Sequence, residues 1–242
     1  MNFKDKVAVI TGGANGIGKT ITEEFRAAGA KVAVIDKDSN KAETDLYFQG
    51  DIAEEDNLNR FACEVLEKFG KIDYLINNAC LSRKGILSGC SFDDFNYVLR
   101  VGVTAPYQLT KLFKDHFNEK GAIVNISSSR AFMSQADTES YTAAKGGITA
   151  LTHALAVSLK GKVRVNSIAP GWIDTTMGTW SKADENQHPV KRIGNPMDIA
   201  KAVLFLCSED SGFINGENIT IDGGMTKLMI YHNDYGWKYE GE

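Results

Sequence analysis

Two side chains that can exchange protons, Tyr141 and Lys145, lie four positions apart in the chain. On a helix, residues with this spacing share a face and come within reach of each other. A phenol, with a pKa of about 10, is a poor base at neutral pH, but a neighbouring ammonium favours its phenolate form. Such a tyrosine can take the hydroxyl proton of an alcohol or return a proton to a carbonyl. The pair indicates acid–base chemistry, although alone it is also typical of a half-buried tyrosine beside a solvated lysine.

A serine upstream strengthens the chemical interpretation. Ser128 precedes Tyr141 by thirteen residues and ends the predicted strand Ala122–Ser128. Active sites of open α/β sheets lie at the carboxyl ends of the strands, where a serine hydroxyl can donate to a substrate oxygen and orient it. A serine in a turn is unremarkable alone. Together, the three side chains favour an alcohol or carbonyl substrate.

Residues 7–36 have the order of elements that binds a dinucleotide. The apolar run Val7–Ile10 predicts a buried strand, four glycines follow within eight residues, and a helical pattern leads to a second apolar run, Val32–Ile35. Glycines let the backbone approach a pyrophosphate, and a helix N-terminus offers it free N–H groups. Asp36, eighteen positions after Gly18, can accept hydrogen bonds from the adenosine ribose. The segment predicts a dinucleotide-binding βαβ unit.

The acid at the end of the second strand bears on the choice of cofactor. Asp36 would repel the additional phosphate of NADP, and Asn15 in the glycine loop supplies no compensating positive charge. We therefore expect NAD as the cofactor, with NADP the less favoured alternative.

The elements that must position these residues alternate along the chain. Apolar runs predict seven strands, at Val7–Ile10, Val32–Ile35, Leu46–Ile52, Ile72–Ala79, Ala122–Ser128, Val163–Ala169 and Asn218–Ile221. Helical spacing predicts helices over residues 17–28, Leu58–Phe69, Phe92–Phe117, Tyr141–Leu159 and Asp198–Leu206, with a kink at Pro106. The alternation predicts an α/β fold, a single Rossmann-type, doubly wound domain with a seven-stranded parallel sheet flanked by helices.

Composition limits the classes of protein. At 242 residues, with 43% hydrophobic residues, the chain predicts one domain over residues 1–242. A net charge of −4 gives no general attraction to nucleic acid or to an anionic membrane. We expect neither a signal peptide nor a membrane span, since the N-terminus is charged and no apolar run approaches the roughly 18 residues of a span. The cysteines are scattered and the histidines unclustered, so we expect no metal site and no disulfide framework, and a cytoplasmic location.

The motifs together resemble those of the short-chain dehydrogenase/reductase family over residues 4 to 225. They are TGGANGIG at Thr11–Gly18, Asp51, NNA at Asn77–Ala79, NISS at Asn125–Ser128, YTAAK at Tyr141–Lys145, PGWIDT at Pro170–Thr175 and DGG at Asp222–Gly224. The resemblance implies an oxidoreductase acting on a small-molecule alcohol or ketone. It also implies a homotetramer or homodimer.

The same resemblance implies roles for individual residues. Tyr141 would be the general acid/base, Ser128 would donate to the substrate oxygen, and Lys145 would tune Tyr141 and hold the nicotinamide ribose. The residues that would contact the cofactor are Gly12, Asn15, Gly16, Ile17, Gly18, Asp36, Asp51, Ile52, Asn77, Ala79, Tyr141, Lys145, Pro170, Ile173 and Thr175. No metal ligand is implied.

Two positions depart from the family pattern. Cys80 stands where the family's NNAG motif has its glycine, and Gly102 aligns with an asparagine that many members use in a water relay feeding the lysine. The first change places a thiol where glycine allows close approach to the cofactor. The second leaves the serine, tyrosine and lysine intact, but it removes the usual asparagine from the water relay, so the route of the proton to the lysine is undetermined.

Two further segments carry expectations from the family. Residues 174–195 would be the lid over the substrate; within them His188 is either a substrate contact or, the favoured interpretation, a surface histidine. The tail, residues 226–242, holds four aromatic side chains. It is expected either to be partly disordered or to pack on a neighbouring subunit or near that subunit's active site.

The first functional hypothesis is an oxidoreductase that moves hydride between NAD and a secondary alcohol or ketone, with Tyr141 as general acid/base. One alternative is an NADPH-dependent 3-oxoacyl carrier-protein reductase, against which Asp36 counts. Another is an NAD-binding sensor or scaffold with weakened catalysis. The lid residues Met177 and Trp180 favour an apolar or ring-shaped substrate only weakly, so the sequence does not identify the substrate.

Overall fold

The structure, a computed structural model, describes residues 2–39 and 43–240. Its strands are β1 (Val7–Thr11), β2 (Lys31–Asp36), β3 (Leu46–Gln49), β4 (Ile72–Asn77), β5 (Phe117–Ile126), β6 (Val163–Pro170) and β7 (Asn218–Ile221). Its α-helices are α1 (Gly16–Ala27), α2 (Glu55–Phe69), α3 (Phe92–Leu99), α4 (Ala105–Phe113), α5 (Glu139–Ser158), α6 (Lys182–Asn186) and α7 (Pro196–Cys207). The strands form one sheet in the order β3-β2-β1-β4-β5-β6-β7, and every ladder is parallel. The predicted seven-stranded, doubly wound fold is confirmed.

The central strand shows why the sheet is covered on both faces. Successive side chains of β1 point to opposite faces. Val7 and Val9 join the core beneath α2, α4 and α5, while Ala8 and Ile10 join the core beneath α1 and α7. All four are buried, which is why the run reads as continuously apolar. The chain order reverses between β1 and β4, and the carboxyl ends of these strands therefore open a crevice.

The predicted helix Phe92–Phe117 is interrupted by a wider turn, and its last four residues are not helical. The structure divides it into α3, a π-helical turn over Arg100–Thr104, and α4, which ends at Phe113. Phe117 begins β5 instead. Pro106 lies in the first turn of α4, where its missing N–H does no harm. The wider turn before it takes the place of the expected kink, and π turns of this kind occur often at functional sites.

Three predicted strands extend too far at their carboxyl ends. β3 ends at Gln49, β4 at Asn77 and β5 at Ile126. The residues that follow them, among them Asp51, Ala79 and Ser128, lie in loops. Residues released from the ladder at this edge are free to contact a ligand.

The lid and the described part of the tail each make local hydrogen bonds. The lid, residues 174–195, contains α6. In the described part of the tail, Asn233 donates its N–H to the Trp237 carbonyl and Tyr239 donates to His232, while the rings of Tyr231 and Tyr235 are exposed. Residues 40–42 of the predicted polar connection and residues 241–242 of the tail lie outside the described residues. No helix within residues 2–39 and 43–240 is long and apolar enough to cross a membrane.

Candidate active site

Helix α5 places Tyr141 and Lys145 on one face, at the end of β5. The Lys145 side chain is 3% exposed, and its Nζ donates a hydrogen bond of 2.7 Å to the carbonyl of Ile126, the last residue of β5. The same Nζ lies 5.4 Å from the centroid of the Tyr141 ring. The hydrogen bond to the carbonyl fixes the position of the Lys145 Nζ beside the phenol. Tyr141 and Lys145 thus lie close together, as their spacing in the sequence predicts.

The hydroxyl of Ser128 is oriented by the turn that follows it. Ser128 begins a 3₁₀ turn, Ser129–Ala131, and its Oγ accepts a hydrogen bond of 3.1 Å from the Arg130 N–H. A hydroxyl that accepts from the backbone keeps its own hydrogen for another acceptor. Ser128, Tyr141 and Lys145 line one pocket. That arrangement can bind a substrate oxygen and exchange a proton with it.

A groove runs from this pocket along the carboxyl ends of β1, β2 and β4. Ile17 and Cys80 line both the groove and the pocket, which makes the two continuous. The predicted cofactor residues in the groove wall are Gly12, Asn15, Ile17, Gly18, Asp36, Asp51, Ile52, Ala79 and Thr175. Those in the pocket wall are Ile17, Tyr141, Lys145, Pro170 and Ile173. Gly16 lies beneath Thr175, whose methyl group is 3.2 Å from where a Cβ would be.

The glycine loop has the backbone that a diphosphate requires. Gly12 has a φ of +67°, which a side chain would disfavour, and a Cβ at Gly18 would lie 2.0 Å from the Gly12 carbonyl oxygen. Asn15 precedes α1 without donating or accepting a side-chain cap. The first N–H groups of α1 are therefore free for an anion, and the helix dipole favours one there. The loop fits a dinucleotide.

Asp36 is held in place and still has lone pairs to offer. Its Oδ2 accepts from the Ala14 N–H at 2.9 Å and its Oδ1 from the Asp38 N–H at 3.0 Å. Each carboxylate oxygen can accept a second hydrogen bond, such as one from a ribose hydroxyl. Lys37, which sequence reasoning did not single out, also lines the groove. Lys37 lies between Asp36 and Asp38 in the chain, so its positive charge opposes the negative charge of these two carboxylates.

Asn77, which was expected to help line the cofactor site, does not line it, whereas the next residue, Asn78, does. Asn77 is 4% exposed, and its Nδ2 donates to the Asn125 side chain at 2.8 Å within the sheet, away from the groove wall. Asn78 lines the groove, and its Nδ2 donates to the carbonyls of Thr11 and Gly12 at 3.0 and 2.9 Å. Asn77 is the last residue of β4 and pairs with Asn125 of β5, and its side chain is buried against that partner. The strand's length decides between them, and this is the property that sequence patterns predict least well.

Asp51 reaches the groove wall through a tight local turn. Its Oδ1 accepts from the Ala53 N–H at 2.9 Å and its Oδ2 accepts from the Tyr97 hydroxyl at 2.6 Å. It does not cap α2, whose N-cap is Glu54. Tyr97 also lines the groove; burial, and secondarily the Asp51 hydrogen bond, raises the pKa of Tyr97 to about 12. The Tyr97 phenol is therefore uncharged at neutral pH and forms a fixed part of the groove wall.

The two departures from the family pattern, Cys80 and Gly102, meet in space. A Cβ built on Gly102 would lie 3.5 Å from the Cys80 Sγ and 2.8 Å from the Ala144 Cβ. Gly102 is buried in the π-helical turn, and Ala144 is buried on α5 beside Lys145. The glycine therefore lets α5 approach the turn closely, with the thiol filling the adjacent space. A side chain at position 102 would require one of these neighbours to move.

The lid closes on itself at its base. Ile173 pairs with Gly194, whose N–H donates to the Trp172 carbonyl at 3.1 Å, and Asp174 donates its N–H to the Gly194 carbonyl at 2.8 Å. The Asp174 carboxylate accepts from the Trp180 indole at 3.0 Å and from the N–H and hydroxyl of Thr176, both at 2.8 Å. These bonds, that of Trp180 first, lower the pKa of Asp174 to about 2. The Trp180 ring packs edge-on against Trp172 at 4.8 Å.

His188 is not the surface histidine that was favoured. It is 1% exposed, with its ring 6.1 Å from that of Trp172. Neither ring nitrogen has a hydrogen-bond partner among the described residues. It packs against Gly223, whose Cβ position lies 3.4 Å from the His188 Cβ. Because a lone histidine has no periodic pattern, only the packing of the lid onto the turn after β7 could reveal its burial.

Comparison with known proteins places the chain in a family. A family model described as "Enoyl-(Acyl carrier protein) reductase" matches residues 12–226. An uncharacterized oxidoreductase of Thermotoga maritima is 38% identical over 95% of this chain and 99% of its own length. The 3-oxoacyl-[acyl-carrier-protein] reductase FabG of Vibrio cholerae is 31% identical over 93% of this chain and 99% of its own length.

Among solved structures, an apo SCOR enzyme from Clostridium thermocellum superposes with a TM-score of 0.92. It is 47% identical, and the match covers 98% of this chain and 99% of that one. The fold and the serine–tyrosine–lysine pocket define an oxidoreductase of the class that uses a nicotinamide cofactor. The chain belongs to the short-chain dehydrogenase/reductase family.

Gly102→Ala should destabilise the protein by about 1–3 kcal/mol, because the added methyl overpacks the contact with Ala144. Gly146→Ala in α5 is the matched control, since nothing lies within 4 Å of its Cβ position. The control should be neutral or stabilising by up to about 1 kcal/mol, as alanine is the better helix former. Urea unfolding measures both. Equal stabilisation by the two alanines would contradict the close approach.

Asp174→Asn should loosen the lid, because an amide offers fewer acceptors to Trp180, Thr176 and Gly178. We expect backbone hydrogen exchange across residues 174–195 to speed up by about tenfold or more. Asp210→Asn, an exposed acid outside the lid, is the control and should leave that exchange unchanged.

The pH dependence of the lid follows from the lowered pKa of Asp174. The folded state holds the ionised form more tightly than the unfolded state, so the contribution is complete above the ordinary value of 3.8. It is lost as pH falls from there toward about 2. Exchange of the lid, corrected for intrinsic rates, should therefore show no step from this group between about pH 5 and 8. A step in that range that Asp174→Asn removes would refute it.

Proposed function

We propose that the protein is an NAD-dependent oxidoreductase that interconverts a secondary alcohol and the corresponding ketone. The observation that carries this proposal is the single pocket lined by Ser128, Tyr141 and Lys145 and open to the dinucleotide groove. When bound there, the nicotinamide would supply or accept the hydride at the substrate carbon. Oxidation of an alcohol also releases its hydroxyl proton, and the protein must take it.

Tyr141 is the group that exchanges this proton with the substrate oxygen, as a general base in oxidation and a general acid in reduction. Lys145, buried and anchored to the Ile126 carbonyl, supplies the positive charge that favours the phenolate. Ser128 donates its hydroxyl hydrogen to the same oxygen and fixes its position. With Gly102 in place of the usual asparagine, the route by which the proton reaches solvent uses other groups or water.

The preference for NAD rests on charge at the end of β2. Asp36 and Asp38 lie close together there; the Asn15 amide donates to Asp38 at 2.9 Å, and Asp36 is in the groove wall. Two carboxylates disfavour the additional phosphate of NADP more than the exposed Lys37 favours it. The diphosphate would lie on the first turn of α1, and Ile173 and Thr175 would hold the carboxamide.

Two other functions compete with this proposal. Similarity to FabG favours an NADPH-dependent 3-oxoacyl carrier-protein reductase, and the acids around the ribose position count against it. An NAD-binding sensor or scaffold would suit the altered positions Cys80 and Gly102. A non-catalytic binder has no use, however, for a complete serine, tyrosine and lysine set.

Tyr141→Phe should lower turnover by about 10²- to 10⁴-fold, the usual contribution of general acid–base catalysis. NAD binding and the unfolding transition should stay close to those of the wild type. The assay follows nicotinamide absorbance with a panel of secondary alcohols and ketones. Tyr107→Phe, an exposed tyrosine at 50%, is the control. A wild type that binds NAD yet turns over nothing in the panel would favour the sensor.

Calorimetric titration should show NAD binding at least tenfold more tightly than NADP, a difference of about 1.4 kcal/mol. Asp36→Asn should narrow that ratio by about tenfold, because it removes the charge that repels the phosphate and leaves Lys37 in the wall. Asp56→Asn, exposed at the start of α2, should not change the ratio. Tighter binding of NADP by the wild type would instead support the reductase.

A further inference from the structure

A cleft opens from the catalytic pocket on the side away from the dinucleotide groove. Ser128 and Tyr141 form its inner end, Trp172 lies in its wall, and Gln187 brings the lid into that wall. Its volume is about 820 Å³, ample for a small organic molecule. Because the cleft contains the two groups that would contact the reacting oxygen, its remaining side chains meet the rest of the substrate.

One formal charge stands in the wall of this cleft. Among the described side chains that line it, Arg130 is the only ionisable cation, and none is a carboxylate; apart from the Tyr141 phenol, the others are apolar, hydroxyl or amide groups. Arg130 is half-buried, two residues after Ser128 in the same 3₁₀ turn. The same turn orients the Ser128 hydroxyl, because the Arg130 N–H donates to the Ser128 Oγ. The turn therefore fixes the Arg130 backbone relative to the Ser128 hydroxyl.

The guanidinium has no acidic partner within the part of the chain that the structure describes. One Arg130 Nη donates to the side-chain oxygen of Gln135. No described carboxylate lies within ion-pair distance of it. A guanidinium carries five donors in a planar fork, so most of its hydrogen-bonding capacity faces outward from the protein contacts.

The nearest acids in sequence are engaged elsewhere. Asp137 accepts the N–H groups of Leu87 and Ser88 at 2.9 and 3.1 Å, and Glu139 accepts that of Ile86 at 3.0 Å. These bonds attach the loop before α3 to the start of α5. Both carboxylates are thereby turned to backbone amides and leave the charge of Arg130 uncompensated.

We propose that Arg130 binds a carboxylate of the substrate, so that the enzyme acts on a hydroxy acid and its keto acid. The proposal rests on the proposed function, because it takes the alcohol or ketone to be held by Ser128 and Tyr141. A planar fork matches a carboxylate in a two-point contact. A single guanidinium also balances the single charge of a carboxylate, whereas a phosphate brings nearly two. The Gln135 contact holds the fork in place.

The experiment compares acids with neutral partners of the same shape. Lactate, 3-hydroxybutyrate and gluconate are each assayed with NAD beside their amides, with wild type, Arg130→Met and Arg130→Lys. Arg130→Met should raise KM for the acid that the wild type prefers by about tenfold or more, with kcat within threefold. KM for the amide should stay within twofold. Arg130→Lys should recover part of the loss, since it restores charge without the fork.

Arg60→Met, an exposed arginine on α2, is the matched control and should change neither substrate. Equal use of acids and amides by the wild type, or equal losses on both with Arg130→Met, would overturn the proposal. So would a preference for glycerol phosphate over every acid, since that assigns the site to phosphate.

Binding without turnover separates this proposal from the proposed function. Binding of the acid in the presence of NAD is measured as a change in tryptophan fluorescence, because Trp172 lies in the cleft wall. Acid binding that Arg130→Met weakens, with no hydride transfer, would refute the oxidoreductase and leave the carboxylate site standing. Turnover of neutral alcohols alone, with no acid bound, would support the oxidoreductase and refute the carboxylate site.

Discussion

The hydrogen bond from the Lys145 ammonium to the Ile126 carbonyl joins the sheet to α5, the helix that also carries Tyr141. A buried cation is costly unless it is paired or hydrogen-bonded, so this contact constrains both elements. Ser127, next along the chain, adds a second tie by donating its hydroxyl to the Lys145 carbonyl at 3.1 Å. With the end of β5 fixed against α5, Ser128 and Tyr141 face one pocket. The geometry of the site thus depends on polar contacts between α5 and residues 126 and 127, where β5 ends.

Close packing on the other side of α5 imposes a second constraint. Ala144 lies one residue before Lys145, and it meets the π-helical turn at the position where Gly102 has no side chain. The wider turn and the missing side chain together allow the helices to approach. Cys80 fills the adjacent space and lines both the groove and the pocket. The substitutions at 80 and 102 are therefore a local repacking, and the serine, tyrosine and lysine keep their arrangement beside it.

How much of this could be predicted depends on which residues carry a repeating pattern. The strands and the glycine loop have periodicity or fixed spacing, and both predict the parallel sheet and the βαβ unit. Asn78 was missed because the end of a strand, which periodicity leaves uncertain by several residues, decides which asparagine faces the groove. Lys37 and Tyr97 were missed because a lone side chain on a loop or helix has no spacing to recognise. The burial of His188 depends on contact between segments distant in sequence.

The same distinction separates the cofactor groove from the substrate cleft. The groove is built from strand ends, a helix N-terminus and backbone amides, whose positions follow from the fold itself. The cleft is closed by loops after β4, β5 and β6, and loops tolerate changes of sequence that a packed sheet does not. Arg130 lies in such a loop, yet its backbone N–H orients the Ser128 hydroxyl whatever side chain it bears. The side chain at this position can therefore differ while the backbone N–H continues to orient the Ser128 hydroxyl.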